Sequence, residues 1–231
     1  MRAGRGRFWT SAHILRPATC LLYILFVFAP SVRSADLPDV IAGLQKRYAS
    51  VETVKGNFQQ LYRAPGIQRE QTGEFRLRKP GLMRWEYKTP EPQLFVADGK
   101  RSFLYVPGDR QVTVQPLSPA DLHNTPLSFL LGSGDINKAY FVAWETATNA
   151  KLENTFVIRL VPRKPQSDFS YLVLELDQKS YDLRRIVIKE PSGSTSEFLL
   201  SSVAVNTKLD NNIFHFKTPK GVEEIRLNNE E

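Results

Sequence analysis

Between Asp36 and Val51 the apolar positions are Leu37, Val40, Ile41, Leu44, Tyr48 and Val51, a single stripe of a 3.6-residue repeat that predicts an amphipathic helix. Asp36 stands where an N-cap is needed, and Pro38 and Asp39 suit a first helical turn. Beyond Val51 the period drops to two. Strands are predicted at 54–62, 73–78, 82–87 and 93–97, and Asp98-Gly99 is a hairpin signal leading into 102–106. Further strands are predicted at 111–117, 139–146, 155–161, 170–177, 183–190, 195–206 and 213–217. About eleven or twelve strands joined by short turns predict a mainly β protein built on one large, curved antiparallel sheet or barrel.

The β pattern is interrupted once. Ser118-Pro-Ala-Asp121 and Thr125-Pro-Leu-Ser128 each place a cap residue before a proline, and Asp121 completes a capping box. Two short helices are predicted there, at 119–123 and 126–131, the second made apolar by Leu127, Phe129, Leu130 and Leu131. With the first helix they are well placed to cover one face of a curved sheet. Along the strands, Phe75, Leu77 and Lys79 share one face, while Glu74, Arg76 and Arg78 share the other, which reads as solvated. Met83, Trp85 and Tyr87 line one face of the next strand, and Phe103 and Tyr105 do so after the hairpin. This surplus fits an ordinary core or an apolar cavity between sheet and helices, and periodicity alone does not choose.

The N-terminal segment changes the charge argument. Arg2, Arg5, Arg7 and Arg16 precede an apolar run from Cys20 to Ala29, and Val32-Arg33-Ser34 offers small residues for cleavage before Ala35. Residues 1–34 therefore read as a Sec signal peptide, leaving 35–231 as one exported domain. Of the chain's 31 basic and 24 acidic residues, five basic ones lie in 1–34, so 26 against 24 remain and the net charge falls from +7 to +2. Nucleic-acid binding loses its electrostatic support. The single cysteine, Cys20, lies in the apolar run rather than at the cleavage site, so it is not the acylated cysteine of a lipoprotein. With 42% hydrophobic residues the chain is too apolar for disorder, and no second run approaches the length of a membrane span.

Catalytic patterns are missing. There is no nucleophile elbow, zinc-protease helix, phosphate loop or dinucleotide fingerprint. After residue 34 the histidines are His123 and His215, one at a predicted helix end and one in a predicted strand, which makes a poor metal site. Glu223-Glu224 reads as solvated charge near the C-terminus. No enzyme, metal or cofactor is expected.

Ordered motifs carry a resemblance. They are Gly56-Asn-Phe58-Gln-Gln60; Gly73-Glu-Phe-Arg-Leu-Arg-Lys-Pro-Gly-Leu-Met-Arg-Trp85-Glu-Tyr87; Val96-Ala-Asp-Gly-Lys100 with Tyr105 and Pro107; Gln111-Val-Thr-Val114; Thr125-Pro-Leu-Ser-Phe-Leu-Leu-Gly132; and Phe214-His-Phe-Lys-Thr-Pro219-Lys-Gly-Val222. In this order, behind a leader, the chain resembles the outer-membrane lipoprotein carrier protein family, the periplasmic chaperones of lipoprotein localisation in Gram-negative bacteria. The resemblance implies an unclosed half-barrel with a helical lid over an apolar cavity. It implies a monomer that takes lipoprotein acyl chains from an inner-membrane ABC transporter and delivers them to an outer-membrane receptor. Met83 and Trp85 match cavity-lining positions, Tyr48 a lid position on the first helix, and Leu127 and Leu130 lid positions of the middle helix. Leu44, Phe58, Phe75, Leu77 and Phe103 join the cavity list by periodicity. The family's arginine before a proline, which hydrogen-bonds the lid helices, is Lys79 here. Lysine is a point charge where arginine is a planar fork, so a weaker gate is expected. A carrier or sensor of another envelope lipid is the alternative; an interaction-only protein and an envelope hydrolase are further ones.

Overall fold

The computed structural model describes residues 35–117, 135–146 and 150–227. The segment read as a leader, both stretches predicted as mid-chain helices, Leu127, Leu130 and His123 lie outside them. Helix α1 spans Leu37–Ala49 and buries Val40, Ile41, Leu44 and Tyr48, the predicted stripe. Asp36 precedes it, but its side chain makes no capping bond; its carbonyl instead accepts from the amides of Asp39 and Val40. Lys46 and Arg47 occupy the last turn, the favourable end of the helix dipole for cations.

Twelve strands form one sheet: β1 Thr53–Ala64, β2 Ile67–Arg78, β3 Leu82–Thr89, β4 Gln93–Asp98, β5 Arg101–Val106, β6 Gln111–Pro116, β7 Tyr140–Trp144, β8 Thr155–Pro162, β9 Tyr171–Asp177, β10 Leu183–Lys189, β11 Thr195–Val205 and β12 Glu223–Arg226. The order is β12-β6-β5-β4-β3-β2-β1-β11-β10-β9-β8-β7, and the two end strands do not pair, so the sheet is unclosed. Short turns explain the two meanders on either side of β1–β11. At the Asp98-Gly99 hairpin, for example, Asp98 Oδ1 accepts from the amides of Lys100 (2.9 Å) and Arg101 (2.7 Å), and Gly99 takes φ +85°.

One face, here the inner face, carries the main core of α1 with Phe58, Phe75, Leu77, Trp85, Ile158, Leu174, Ile186 and Phe198. Four contacts pin α1. Arg47 Nε pairs with Asp182 at 2.7 Å. The Leu183 amide donates to the Tyr48 hydroxyl at 3.1 Å, and burial pushes that phenol up to about 12. Lys79 Nζ donates to the carbonyls of Tyr48 (3.2 Å) and Ala49 (3.3 Å), capping the helix C-terminus. Gly43 admits the Tyr181 ring, since a Cβ there would sit 2.6 Å from Tyr181 Cζ.

The sheet departs from expectation at the C-terminus. Residues 213–217 are not a strand. Asn211–Phe214 forms a 3₁₀ turn whose start is capped by Asp210, accepting from the Asn212 amide at 3.0 Å, and His215 follows it. The alternation of Phe214 and Phe216 with His215 and Lys217 mimics a strand, yet the segment lies over the outer face instead of entering the ladder. Phe216 packs on Phe103 (5.2 Å between centroids) and Tyr105 (5.7 Å), within a second cluster of Val96, Phe103, Val112 and Val114. The strand comes later: Glu223 and Glu224 belong to β12, which pairs parallel with β6. The sheet is thus antiparallel except at this edge, where exposed charges suit an unpaired strand.

The outer face is also less solvated than the sequence suggests. Arg76 bridges Glu74 (2.7 Å) and Glu86 (2.8 Å), and Arg84 donates to the Ile213 carbonyl at 2.9 Å. Across β9–β11, Glu175, Arg185 and Glu197 form a buried charge cluster. Arg185 pairs with both glutamates at 2.8 Å; Lys151 Nζ reaches Glu197 at 2.6 Å, and the Leu152 amide donates to Glu175 at 2.6 Å. Burial pushes the Glu197 carboxyl up, but Lys151 and Arg185 outweigh it and hold it below its ordinary value of 4.5. A depressed carboxylate stabilises the fold above the unfolded-state value and loses that contribution as pH falls through the folded one. Glu197→Gln should therefore cost about 3 kcal/mol at pH 7 in urea unfolding. The gap to wild type should close as the pH is lowered below 4.5; a gap independent of pH would show that the carboxylate's charge is not what stabilises the cluster.

Candidate functional site

The cavity grows out of the register of the inner face. Across β1 and β2 the inner pairs run Val54–Leu77, Gly56–Phe75, Phe58–Gly73, Gln60–Gln71 and Tyr62–Arg69, passing from apolar to polar away from α1. The Phe75 row continues through Trp85 on β3, Phe95 on β4 and Leu104 on β5. On the other side, Gln60 pairs with Phe198 and Tyr62 with Ser196 on β11, and Ser196 with Ile188 on β10. The concavity thus framed has a volume of about 500 Å³. Its apolar wall is Met83, Trp85, Tyr87, Phe95, Leu104, Ile188 and Phe198. Its polar wall is Gln60, Tyr62, Arg69, Gln71, Gln93 and Ser196.

Glycine and aromatic residues shape this wall together. The Phe58 ring occupies the place of a Gly73 side chain, and the Phe75 ring that of a Gly56 side chain. Phe75 then stacks on Trp85 at 5.1 Å and 23°, and Phe58 meets Trp85 and Tyr87 at 4.9 Å each. Burial pushes the Tyr87 phenol up to about 12, as expected for a hydroxyl in an apolar wall.

The structure brings Leu44, Tyr48, Phe58, Phe75, Leu77, Met83 and Trp85 into one cluster, and of these Met83 and Trp85 reach the cavity surface. Leu44 and Tyr48 join it from α1, and Phe58, Phe75 and Leu77 stand behind the wall. Phe103 does not join them. Trp85 pairs with Phe95 and Phe95 with Leu104, so the odd-numbered side chains of β5 point to the outer face. Register sets this parity, and a shift of one residue exchanges the faces. The inner residue is Leu104, 40% exposed, which aromatic bulk at its neighbours hides in the sequence. Phe95, Ile188 and Phe198 were legible as strand residues, but their convergence needs the β1–β11 pairing between distant segments. Lys79 touches α1, as described above. Among the described residues no group of histidine, cysteine or acidic side chains could hold a metal ion.

An unclosed sheet with a helix on one face and an apolar cavity beside it defines a class of half-barrel folds. A profile of the family described as outer membrane lipoprotein carrier protein LolA matches residues 49–217. An outer-membrane lipoprotein carrier protein of Hahella chejuensis is 33% identical over 89% of this chain and 98% of its own. One from Bordetella avium is 30% identical over 88% and 94%. The crystal structure of a conserved protein from Thermus thermophilus overlays with a TM-score of 0.50 at 11% identity, covering 82% of this chain and 98% of that one, a likeness of fold. The chain belongs to the outer-membrane lipoprotein carrier protein family.

Gly73 is the tightest point of the wall: a Cβ there would lie 2.7 Å from the Phe58 ring and closer still to the Glu86 carbonyl. Gly73→Ala should lower the urea midpoint by the equivalent of about 1–3 kcal/mol without changing the slope of the transition. An unchanged midpoint would mean that β2 and β3 can part without cost.

Proposed function

We propose that this protein is a periplasmic carrier that shelters the acyl chains of lipoproteins in the inner-face cavity. On this reading it receives them from an inner-membrane ABC transporter and surrenders them to an outer-membrane receptor. The observation that carries the reading is the cavity itself, an aromatic and aliphatic wall of about 500 Å³ in a chain of this family. Burying acyl chains is worth about 0.8 kcal/mol per methylene, so a lipoprotein leaves a membrane only for a site of comparable apolarity. Leu104 and Phe95 already present such surface beside Trp85. The absence of any nucleotide motif agrees with energy supplied by a transporter.

In this proposal Leu127 and Leu130 take the lid role that the family resemblance implies, and Lys79 is the gate. Support for the gate comes from the two bonds that Lys79 makes to the last carbonyls of α1. Two long bonds from one ammonium tether that helix less firmly than a bidentate guanidinium would. They suit a contact that must open and close.

Spheroplasts making a radiolabelled outer-membrane lipoprotein, incubated with purified residues 35–231, should release it as a one-to-one soluble complex. Retention on the inner membrane, with binding of another lipid, would move the function to that lipid. Lys79→Leu should slow transfer from the carrier to receptor-bearing vesicles several-fold, and Lys79→Arg should restore it. Unchanged transfer by Lys79→Leu would remove the gate from the mechanism.

A further inference from the structure

The polar end of the cavity contains a group that the acyl chains cannot satisfy. Among the described residues, Gln60 Oε1 is buried and finds no hydrogen-bond partner. It lies on the inner face of β1, opposite Gln71, which is 7% exposed, and beside Phe198 at the end of the apolar wall. One step further out are Tyr62 and Arg69, the latter exposed at the rim. A buried amide oxygen without a donor is a standing cost in the empty protein, and buried polar groups are normally paired. The Gln60 side chain lines the cavity, so a turn of its amide presents this oxygen to a ligand donor and removes that cost.

Resting on the carrier reading, we propose that the polar end is a junction site that accepts an amide N–H from the ligand at Gln60, and so selects acyl chains attached to a peptide. The chemistry discriminates between ligand classes. Ester groups and an ionised fatty-acid carboxylate offer only acceptors, and they leave Gln60 Oε1 as it was. An acyl amide or the first peptide bonds of a lipopeptide offer N–H donors. Arg69, carrying donors and no acceptor, complements the carbonyl oxygens of the same junction from the rim. With the chains against Trp85 and Phe198, the point where lipid becomes peptide falls at Gln60 and Gln71. The two walls thus divide the ligand: the apolar one takes the chains, and the polar one reads what they are attached to.

The test uses protein expressed from the full chain and three probes: palmitate, a lipopeptide with an amide-linked palmitoyl chain, and the same lipopeptide N-methylated at the acyl amide and first peptide bonds. Binding is followed by tryptophan fluorescence in a Trp144→Phe background, so that Trp85 reports on the cavity. The N–H lipopeptide should bind about tenfold more tightly than its N-methyl analogue. Gln60→Leu should abolish that difference between the two lipopeptides. Equal binding of the two lipopeptides with Gln60 in place overturns the junction site and leaves the carrier reading intact. So does a preference that survives in Gln60→Leu. Failure of all three probes to bind overturns the carrier reading itself.

Discussion

A thirteen-residue helix is about 20 Å long, whereas twelve strands laid side by side extend for more than 50 Å. Among the described residues, α1 is the long helix on the inner face, joined by Ile136 from the single turn Ile136–Ala139, and it covers only part of that width. The disparity between helix and sheet governs the rest of the molecule. Where α1 lies, the inner face becomes a sealed core around Leu44, Leu174 and Ile186. Where α1 ends, the same apolar rows continue through Trp85, Phe95 and Leu104, beyond the reach of α1. The cavity wall is therefore a continuation of the core, made by the alternation that makes the core itself.

The outer face is closed by other means, which leaves the inner face free for a ligand. Over β4–β6 the covering is a length of extended chain that contributes Phe216. Over β9–β11 it is a charge cluster in which every carboxylate is met by cations or amides. Charges buried this way add little net stability compared with apolar packing, but they are intolerant of rearrangement. A sheet whose outer face is stiffened by such contacts can keep its inner concavity from collapsing onto the empty space.

Local signals made most of the architecture legible. The α1 stripe and eleven of the strands follow from spacing and turn residues, because each depends on neighbours in sequence. The misreadings share a physical origin. Phe214 and Phe216 alternate as a strand would, but whether such a segment enters a ladder depends on a free sheet edge, and that edge went to β12. Periodicity along its own strand puts Phe103 in the cavity, whereas its face is set by pairing through three successive strands. Glu175 and Glu197 sit on strands where charge normally marks solvent, and their burial depends on Arg185 and on Lys151 from a separate loop. The polar end of the cavity escaped for a similar reason: Gln60 is unremarkable until β2 and β11 are laid on either side of it.

The strand order has a temporal meaning. β2–β6 and β7–β10 are local meanders, but they are joined only through β1 and β11, which meet between residues such as Phe58 and Leu200. The cavity straddles that seam, with Gln60 and Tyr62 on one side and Ser196 and Phe198 on the other. Its walls cannot face one another until nearly the whole chain is available, because closing so long a loop precedes any reward from the contacts it makes. A chain still emerging from a ribosome therefore has no assembled cavity. The cavity arrives with the last strands, as a property of the finished molecule.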